Sequence, residues 1–259
     1  MNYLEYILLG VVQGLTEFFP ISSSGHLLLL RKLFGIDEGG LLIEVALHLG
    51  TLLSILFFWK KFIYQKIKET LKGDFDYLST IIIGSIPAGF IGFLFEEKIK
   101  DYFFDISSMN YLIVCYIVLA IIIFSTKYFI NNKNSIITYP YAFLIGIAQA
   151  IAIIPGLSRS GLTIFMALLL GLSFKKSMQF SFMLAIPILI FSSIYLIFNN
   201  IELLLLDMNF LMELLVGILS SFLIGYGILF MLEKIINKGR FWYFSFYCLF
   251  ISLVLFYAS

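Results

Sequence analysis

The chain has 259 residues, of which 61% are hydrophobic and 13% are charged, and its mean hydropathy is +1.02. This composition excludes an ordinary soluble domain and is typical of a protein that lies in a lipid bilayer. The formal net charge of +1 provides no large basic or acidic surface, so we expect no nucleic-acid partner.

The first hydrophobic region, residues 3–34, is interrupted in its middle by Pro20, Gly25 and the three serines at 22–24. A helix needs about 20 apolar residues to cross about 30 Å of hydrocarbon, so neither half is long enough to cross alone. Such a broken segment predicts a re-entrant hairpin, in which two short helices flank a polar loop at membrane depth. Irregular backbone is tolerated there only where protein or a water-filled cavity surrounds it.

Three uninterrupted apolar stretches follow, then a second broken region, then three more stretches. The six predicted transmembrane helices are residues 41–59, 77–95, 110–130, 176–198, 210–231 and 241–258. The second broken region, residues 140–171, contains Pro155, Gly156 and a Ser-Arg-Ser-Gly sequence, and it predicts a second re-entrant hairpin. The sequence therefore predicts an all-α polytopic membrane protein with six transmembrane helices and two re-entrant helical hairpins.

The two broken regions are copies of one pattern, separated by an offset of 136 residues. The aligned pairs are Gly10 with Gly146, Gln13 with Gln149, Ser22 with Ser158, Ser24 with Ser160 and Gly25 with Gly161. Ser23 aligns with Arg159, so the first copy supplies an acid, serines and a histidine, whereas the second supplies a cation. We therefore divide the single membrane domain, residues 1–259, into a first repeat at 1–136 and a second repeat at 137–259.

Each repeat holds one hairpin and three spans, and an odd number of spans inverts the second repeat relative to the first. Twelve of the seventeen basic residues then lie on one side of the membrane and four on the other, with Arg159 inside a hairpin. By the positive-inside rule, the side with twelve faces the cytoplasm. Both termini then lie outside, and the two hairpin tips, which enter from opposite faces, meet near the midplane.

Ionisable side chains in the hairpins are the candidate functional residues, because each costs about 2.5–3.5 kcal/mol at membrane depth on insertion scales. Arg159 can bind a phosphate through its planar guanidinium. Its small neighbours Ser158, Ser160 and Gly161 let backbone N–H groups approach an anion. The short helix that begins here adds a dipole that favours negative charge at its N-terminus.

The first hairpin supplies groups suited to acid–base and nucleophilic chemistry. His26 lies two to four residues from Ser22, Ser23 and Ser24 and can act as a general base or acid. Glu17 can hold Mg²⁺ or Ca²⁺, or orient His26. A polar helix cap is the alternative explanation of the serines, and a structural network joining the repeats is the alternative for the whole set.

Four more polar residues are interpreted as structural. Glu44 and His48 lie four residues apart on one predicted helix, and we favour a self-satisfied buried pair over an outer partner of the site. Gln13 and Gln149 are predicted to brace the two loops through hydrogen bonds. The glycine-rich spans allow close helix packing, either within the chain or between the protomers of a homodimer.

The two motifs resemble those of the bacterial undecaprenyl-diphosphate phosphatase family, often called bacitracin-resistance proteins. The first family motif, (Glu/Gln)-x-x-x-Glu followed by Pro-x-Ser-Ser-x-Gly-His, corresponds to Gln13–Glu17 and Pro20–His26. The second, Pro-Gly-x-Ser-Arg-Ser-Gly-x-Thr, corresponds to Pro155–Thr163. The resemblance covers essentially the whole chain, and the two motifs together are highly specific.

The resemblance implies hydrolysis of undecaprenyl diphosphate, a polyprenyl diphosphate lipid, at the outer face of the bacterial cell (inner) membrane with a divalent cation, Mg²⁺ or Ca²⁺. It implies catalytic roles for Glu17, Ser23, His26 and Arg159, with Glu17 also a metal ligand. The residues implied to bind substrate are Gln13, Ser22, Ser24, Ser158, Ser160 and Thr163. Many members have glutamate at the position of Gln13, so this chain departs from any mechanism that needs two carboxylates on the metal there.

A transporter that flips a polyprenyl phosphate is the main alternative, because inverted repeats with re-entrant hairpins are a transport architecture. The group formed by Glu17, Ser23 and His26 argues for chemistry, since a carrier does not require it. Acid-phosphatase-like lipid phosphatases also contain a Ser-Gly-His triplet, as at Ser24–His26. They need a second histidine after their Ser-Arg, and this chain has no histidine after Arg159.

Overall fold

The computed structural model describes residues 3–35, 40–95, 110–129, 136–200 and 207–258, and within these ranges it contains helices and no strand. The α-helices are α1 (Tyr3–Thr16), α2 (Ser23–Phe34), α3 (Gly40–Phe58), α4 (Lys60–Leu71), α5 (Asp76–Leu94), α6 (Asn110–Ser125), α7 (Tyr139–Ile151), α8 (Arg159–Leu169), α9 (Phe174–Asn199), α10 (Met208–Asn237) and α11 (Phe244–Ala258). Short 3-10 helices, Thr126–Phe129 and Phe241–Tyr243, follow α6 and precede α11. The prediction of an all-α protein is confirmed.

Four of the described helices are long and apolar enough to cross a membrane: α5, α6 with its 3-10 extension, α9 and α10. Helices α3 and α4 together qualify as a fifth candidate, bent by 76° between them. These helices correspond to the first five predicted spans. The sixth predicted span, 241–258, corresponds to a shorter apolar helix, Phe241–Tyr257. A helical membrane protein with several spans is therefore confirmed, whereas the count of six is not.

Both broken regions fold as pairs of short helices separated by an irregular segment. Helices α1 and α2 have 14 and 12 residues, and α7 and α8 have 13 and 11. At about 1.5 Å per residue, none of them reaches across about 30 Å of hydrocarbon. The breaks contain Pro20 and Pro155, which lack a backbone N–H, and Gly156 at φ 93°.

The first short helix of each pair packs closely against a long helix through glycine. Helix α1 lies along α10, and a Cβ added at Gly10 would collide with the side chain of Ser220 and the carbonyl of Gly217. Helix α7 lies along α5, and a Cβ at Gly146 would collide with the carbonyl of Gly84. Backbones approach this closely only where small residues line both helices.

Several segments with basic residues lie at one end of the helix bundle, which we call the basic end. Tyr139 Oη donates a hydrogen bond to Asp76 at 3.2 Å, which joins the start of α7 to the start of α5. Lys127 Nζ lies 4.9 Å from the ring centroid of Trp242, which joins the end of α6 to the segment before α11. A cavity of about 670 Å³ at this end also includes Lys176 at the start of α9. Helices α5 and α9 therefore both run away from the basic end.

The outer surface of the bundle is strongly apolar. Large apolar side chains that are more than half exposed include Phe90, Phe93, Phe191, Phe198 and Phe250. Many large apolar side chains exposed in this way are typical of a protein that contacts lipid.

Candidate functional site

The two irregular segments between the paired short helices contact each other directly. Ser22 Oγ accepts a hydrogen bond from the Gly156 backbone N–H at 3.0 Å, and Ser160 Oγ donates one to the Phe19 carbonyl at 3.3 Å. Ser22 is buried and is the only non-glycine residue with positive φ, 64°, in the described ranges. That conformation is unfavourable for a residue with a side chain, so the surrounding contacts must stabilise it.

Glu17 lies directly after α1, and four polar side chains contact its buried carboxylate. Arg159 Nη2 donates to Oε1. Ser23 Oγ donates to Oε2 at 2.7 Å, and Gln13 Nε2 donates to the same oxygen at 3.2 Å. His48 Nε2 lies 3.4 Å from Oε2. The structure therefore brings together Gln13, Glu17, Ser23 and Arg159, so that both predicted repeats contribute to one cluster.

Arg159 is the first residue of α8 and is positioned by the cap of that helix. The N-cap Ser158 accepts a hydrogen bond from the Gly161 N–H at 3.2 Å. The guanidinium carbon of Arg159 lies 6.0 Å from the ring centroid of Phe182. Its Nη1 is buried and has no hydrogen-bond partner among the described residues. A guanidinium held on one side by a carboxylate thus retains N–H groups that can donate to an anion.

The five remaining residues predicted to bind substrate make hydrogen bonds within the protein: Ser22, Ser24, Ser158, Ser160 and Thr163. The hydroxyls of Ser22 and Ser24 lie 3.3 Å apart, and those of Ser158 and Ser160 lie 3.1 Å apart. Thr163 Oγ1 donates to the Arg159 carbonyl at 2.7 Å. Ser22, Ser24 and Ser158 line the same cavity as Glu17. Ser160 and Thr163 instead stabilise the start of α8.

His26 lies apart from the Glu17 cluster. Its Nδ1 donates to the Ser22 carbonyl at 2.7 Å, and Tyr116 Oη lies 3.1 Å from the same nitrogen. Its Nε2 lies 2.8 Å from Tyr247 Oη, and the two rings are stacked at 5.7 Å between centroids. Within the described part of the chain, no hydrogen bond joins His26 to Ser23. The contact expected of a general base is therefore not present, and His26 instead holds the backbone of Ser22.

His48 belongs to the site, whereas the sequence analysis favoured a structural pair with Glu44. Glu44 pairs with Arg31, with Nη1 3.0 Å from Oε1, so the expected Glu44–His48 side-chain pair does not form. His48 Nδ1 donates to the Glu44 carbonyl at 2.7 Å, which directs Nε2 toward Glu17. The available signal was an ionisable residue inside an apolar span, which is by default a functional candidate.

A cavity of about 610 Å³ opens beside this cluster. Its polar residues include Glu17, Ser23, His48, Gln149 and Arg159. Its apolar wall comes from the later halves of α5 and α9 and includes Gly89, Gly92, Phe93, Pro187, Phe191 and Tyr195. These halves lie away from the basic end of the bundle. A pocket with charged groups on one side and an apolar wall fits an amphiphile with a polar headgroup.

The two equivalent glutamines differ in their contacts. Gln13 is buried and donates to Glu17, but its Oε1 has no partner among the described residues. Gln149 is also buried, and among the described residues neither its Nε2 nor its Oε1 has a hydrogen-bond partner. The predicted bracing hydrogen bond is therefore seen for Gln13 and not for Gln149.

The described residues contain no group of three or more His, Cys, Asp and Glu side chains that could hold a metal ion. Two carboxylates line the cavity, and each is paired with an arginine, Glu44 with Arg31 and Glu17 with Arg159. Only Glu17 lies beside a neutral oxygen donor that has no partner among the described residues, the amide oxygen of Gln13, so Glu17 and Gln13 are the candidate cation ligands.

Comparison with known proteins gives one consistent result. The family described as "Bacitracin resistance protein BacA" matches residues 6–254. The "Undecaprenyl-diphosphatase 4" of Bacillus thuringiensis (strain Al Hakam) is 41% identical over 231 residues, which is 87% of this chain and 85% of the relative. The "Undecaprenyl-diphosphatase" of Thermosipho africanus (strain TCF52B) is 37% identical over 264 aligned positions, which is 99% of this chain and 100% of the relative.

Proposed function

The chain belongs to the bacitracin resistance protein BacA family, and we propose on this basis that it hydrolyses undecaprenyl diphosphate to undecaprenyl phosphate and inorganic phosphate. The substrate is a polyprenyl diphosphate lipid, so the enzyme acts within a bacterial membrane. The product is the lipid carrier of peptidoglycan synthesis. The reaction therefore recycles this carrier and confers resistance to bacitracin.

The observation that carries the proposal is the cluster of Glu17, Ser23 and Arg159 at a cavity whose other wall is apolar. A diphosphate needs cationic and N–H donors, and a prenyl chain needs hydrocarbon contacts. The cavity of about 610 Å³ accommodates the headgroup and the first part of the chain. The rest of the prenyl chain extends along the exposed apolar surface of α5 and α9.

Arg159 is the proposed clamp on the diphosphate. Its Nη1 is free to donate to phosphate oxygens, and α8 begins at the same residue with a dipole that favours negative charge. The hydroxyls of Ser22, Ser24 and Ser158 line the cavity and are the proposed further contacts. Phosphoryl transfer depends mainly on such positioning and charge stabilisation.

Ser23 is the proposed nucleophile and Glu17 its base, because the Ser23 hydroxyl already donates to the Glu17 carboxylate at 2.7 Å. Ser23 Oγ bonds to the terminal phosphorus, and its proton passes to Glu17. The bond from that phosphorus to the bridging oxygen breaks, and undecaprenyl phosphate leaves with the electron pair. Water then hydrolyses the serine phosphate to release inorganic phosphate. Direct attack by water activated by His26 is the alternative, which a Ser23→Ala enzyme with most of its rate would favour.

The divalent cation, Mg²⁺ or Ca²⁺, is proposed to bind Glu17 together with the substrate. Magnesium is typically held by one or two carboxylates plus substrate phosphates rather than by a cage of protein ligands. One carboxylate and the unpartnered oxygen of Gln13 fit that donor set. When bound, the cation would neutralise charge on the phosphates. Arg159 then exchanges part of its contact with Glu17 for the phosphate oxygens.

The inverted repeat, 1–136 and 137–259, is proposed as the architecture of the single domain. Helices α1 and α7 occupy equivalent positions of the repeat, and so do α10 and α5. The packing of α1 on α10 and of α7 on α5 supports this relation. At the crossings, Gly10 meets Ser220 and Gly146 meets Gly84, which are also equivalent at the offset of 136. Six spans and two re-entrant hairpins complete the proposal.

The active site is proposed to open to the outer face, with both chain termini outside. The cavity lies between the later halves of α5 and α9, away from the end that gathers Lys127, Lys176 and the start of α5. The positive-inside rule assigns that basic end to the cytoplasm. A homodimer stays a prediction from the glycine-rich spans, of which Gly227 has no atom within 4 Å of an added Cβ.

Flipping of polyprenyl phosphate is the second candidate function, and one observation favours it. A cavity of about 670 Å³ lies at the basic end, opposite the cavity that holds Glu17 and Arg159. Openings toward both faces are what alternating access requires. Hydrolysis in detergent separates the two functions, because detergent leaves no membrane to transport across.

The test is phosphate release from a prenyl diphosphate by detergent-purified protein, with and without EDTA. We expect release that EDTA abolishes and that Arg159→Ala lowers by about 10²–10³-fold, as for loss of one oxyanion donor. Arg159→Lys keeps the charge but not the two-pronged geometry, so its loss should be intermediate. Ser192→Ala is the control, because that cavity hydroxyl donates to the Leu189 carbonyl of its own helix. No release by folded protein with any added divalent metal would favour the transporter.

A further inference from the structure

Gln149 presents a buried amide for which the protein provides no partner among the described residues. It lies near the end of α7 and is 3% exposed, and both Nε2 and Oε1 lack a hydrogen bond. Buried polar groups are costly when unpaired, and native proteins rarely retain one without a reason. Gln149 also lines the cavity that holds Glu17 and Arg159. A ligand in that cavity is therefore a candidate partner for this amide.

Comparison with Gln13 explains why the Gln149 amide has no hydrogen-bond partner among the described residues. In the first repeat, Gln13 is followed four residues later by Glu17, and its Nε2 donates to that carboxylate at 3.2 Å. In the second repeat, Gln149 is followed four residues later by Ile153, which also lines the cavity. A hydrocarbon side chain thus replaces the carboxylate partner. The second repeat thus has the same amide as the first but lacks the carboxylate that accepts from it. The N–H groups of the Gln149 amide are therefore available to a ligand.

The chemistry of the cavity indicates that the ligand which accepts from the Gln149 amide is an anion with several acceptor oxygens. Arg159 Nη1 is a second buried donor with no partner in the described ranges, and it belongs to the same cavity. A diphosphate offers several oxygens that can accept from both groups at once. The amide oxygen of Gln149 can also accept from a protonated phosphate oxygen, which a cationic side chain cannot do.

We propose that Gln149 binds the diphosphate headgroup of the lipid substrate through its amide, as a binding residue that takes no part in proton transfer. The inference rests on the proposed phosphatase function and adds a residue to its substrate site. Because the amide is neutral and far less polarising than Arg159, its contact should contribute to substrate binding more than to the chemical step.

The test compares Gln149→Leu with the control Ser85→Ala in phosphate release and in thermal unfolding. Leucine has similar size and removes two unpaired polar atoms, so the unfolding temperature should stay unchanged or rise. We expect the KM for a prenyl diphosphate to rise about tenfold, with kcat changed less than about threefold. Ser85 lines the same cavity, but its hydroxyl donates to the Ile81 carbonyl at 2.8 Å, so Ser85→Ala should leave both constants unchanged.

A second variant, Gln149→Glu, keeps the side-chain shape and adds a negative charge beside the phosphates. It should raise KM more than Gln149→Leu does, because like charges repel. An unchanged KM in both variants would overturn the proposal, and so would a lowered unfolding temperature with unchanged KM, which marks a structural brace. Absence of phosphate release by the unsubstituted protein would instead refute the proposed function, so the two failures are distinguishable.

Discussion

Glu17 is the residue with the most contacts in the candidate site, because its one buried carboxylate is contacted from both predicted repeats. Arg159, Ser23 and Gln13 donate to its two oxygens, and His48 approaches the same carboxylate from α3. Removing one member of a buried ion pair typically costs about 3–5 kcal/mol, because the other charge is left uncompensated. Activity loss in Arg159→Ala therefore needs a check of folding by thermal unfolding of the same purified variant. Arg159→Lys is the companion variant, because it preserves the positive charge beside Glu17.

The contacts of His26 lead to a prediction that separates two roles. In His26→Asn, the side-chain amide can still donate to the Ser22 carbonyl, whereas the second ring nitrogen is lost. If His26 holds the strained Ser22 in place, this variant should keep phosphate release within about tenfold of the unsubstituted rate, and His26→Leu should lose much more. A general base contributes about 10²–10⁴-fold, so an equal and severe loss in both variants would restore the catalytic role.

The sequence predicts the members of this site better than their partners. Glu17 and Arg159 follow from motif chemistry, since ionisable groups are rare at membrane depth, whereas the family resemblance singles out Ser23 from its two neighbouring serines. The separation of His26 from Ser23 does not follow, because it depends on Tyr116 and Tyr247, which lie 90 and 221 residues away along the chain. Local spacing predicts that residues are close along the chain but does not predict which distant side chains they contact.

At the scale of elements, the crossing of α5 and α7 gives a stability prediction. In Gly146→Ala the new Cβ would meet the Gly84 carbonyl, which is backbone and cannot rotate away. The helices must move apart, and overpacking of this kind costs about 1–3 kcal/mol. We expect a lower unfolding temperature in detergent, measured by thermal unfolding of the purified variant.

Gly227→Ala is the matched control for that crossing. It lies in α10, and an added Cβ there has no atom within 4 Å. Alanine favours a helix over glycine by about 1 kcal/mol, so this variant should be as stable as the unsubstituted protein or more stable. Equal unfolding temperatures for the two variants would contradict the close packing of α7 on α5.

The element boundaries were predictable where a chemical break coincides with them. The predicted span 41–59 ends beside Lys60 and Lys61, and α3 ends at Phe58 for the same reason, since charge is excluded from hydrocarbon. The orientation of α4 was not predictable, because the 76° bend that follows α3 depends on how α4 packs against its surroundings. The sequence pattern therefore predicts the lengths of the spans, whereas tertiary contacts determine the angles between them.

At the scale of the whole molecule, helices of the first predicted repeat pack on helices of the second, so the two halves of the chain build the site together. Helix α1 of the first repeat packs on α10 of the second, and α7 of the second packs on α5 of the first. The hydrogen bonds from Gly156 to Ser22 and from Ser160 to Phe19 cross the same boundary. We therefore expect separately expressed halves, residues 1–136 and 137–259, to release no phosphate from a prenyl diphosphate until they are combined.

Orientation in the membrane is the last prediction, and Lys32 and Lys68 provide a matched pair to test it. Both side chains are exposed, Lys32 at the end of α2 and Lys68 on α4 at the basic end. The positive-inside rule assigns Lys68 to the cytoplasm and Lys32 to the outside. After replacement of the native Cys115 and Cys248, a membrane-impermeant maleimide should label Lys32→Cys in intact cells and Lys68→Cys only after lysis. The reverse pattern would turn the cavity beside Glu17 toward the cytoplasm, where it would meet substrate formed inside the cell rather than the diphosphate released outside.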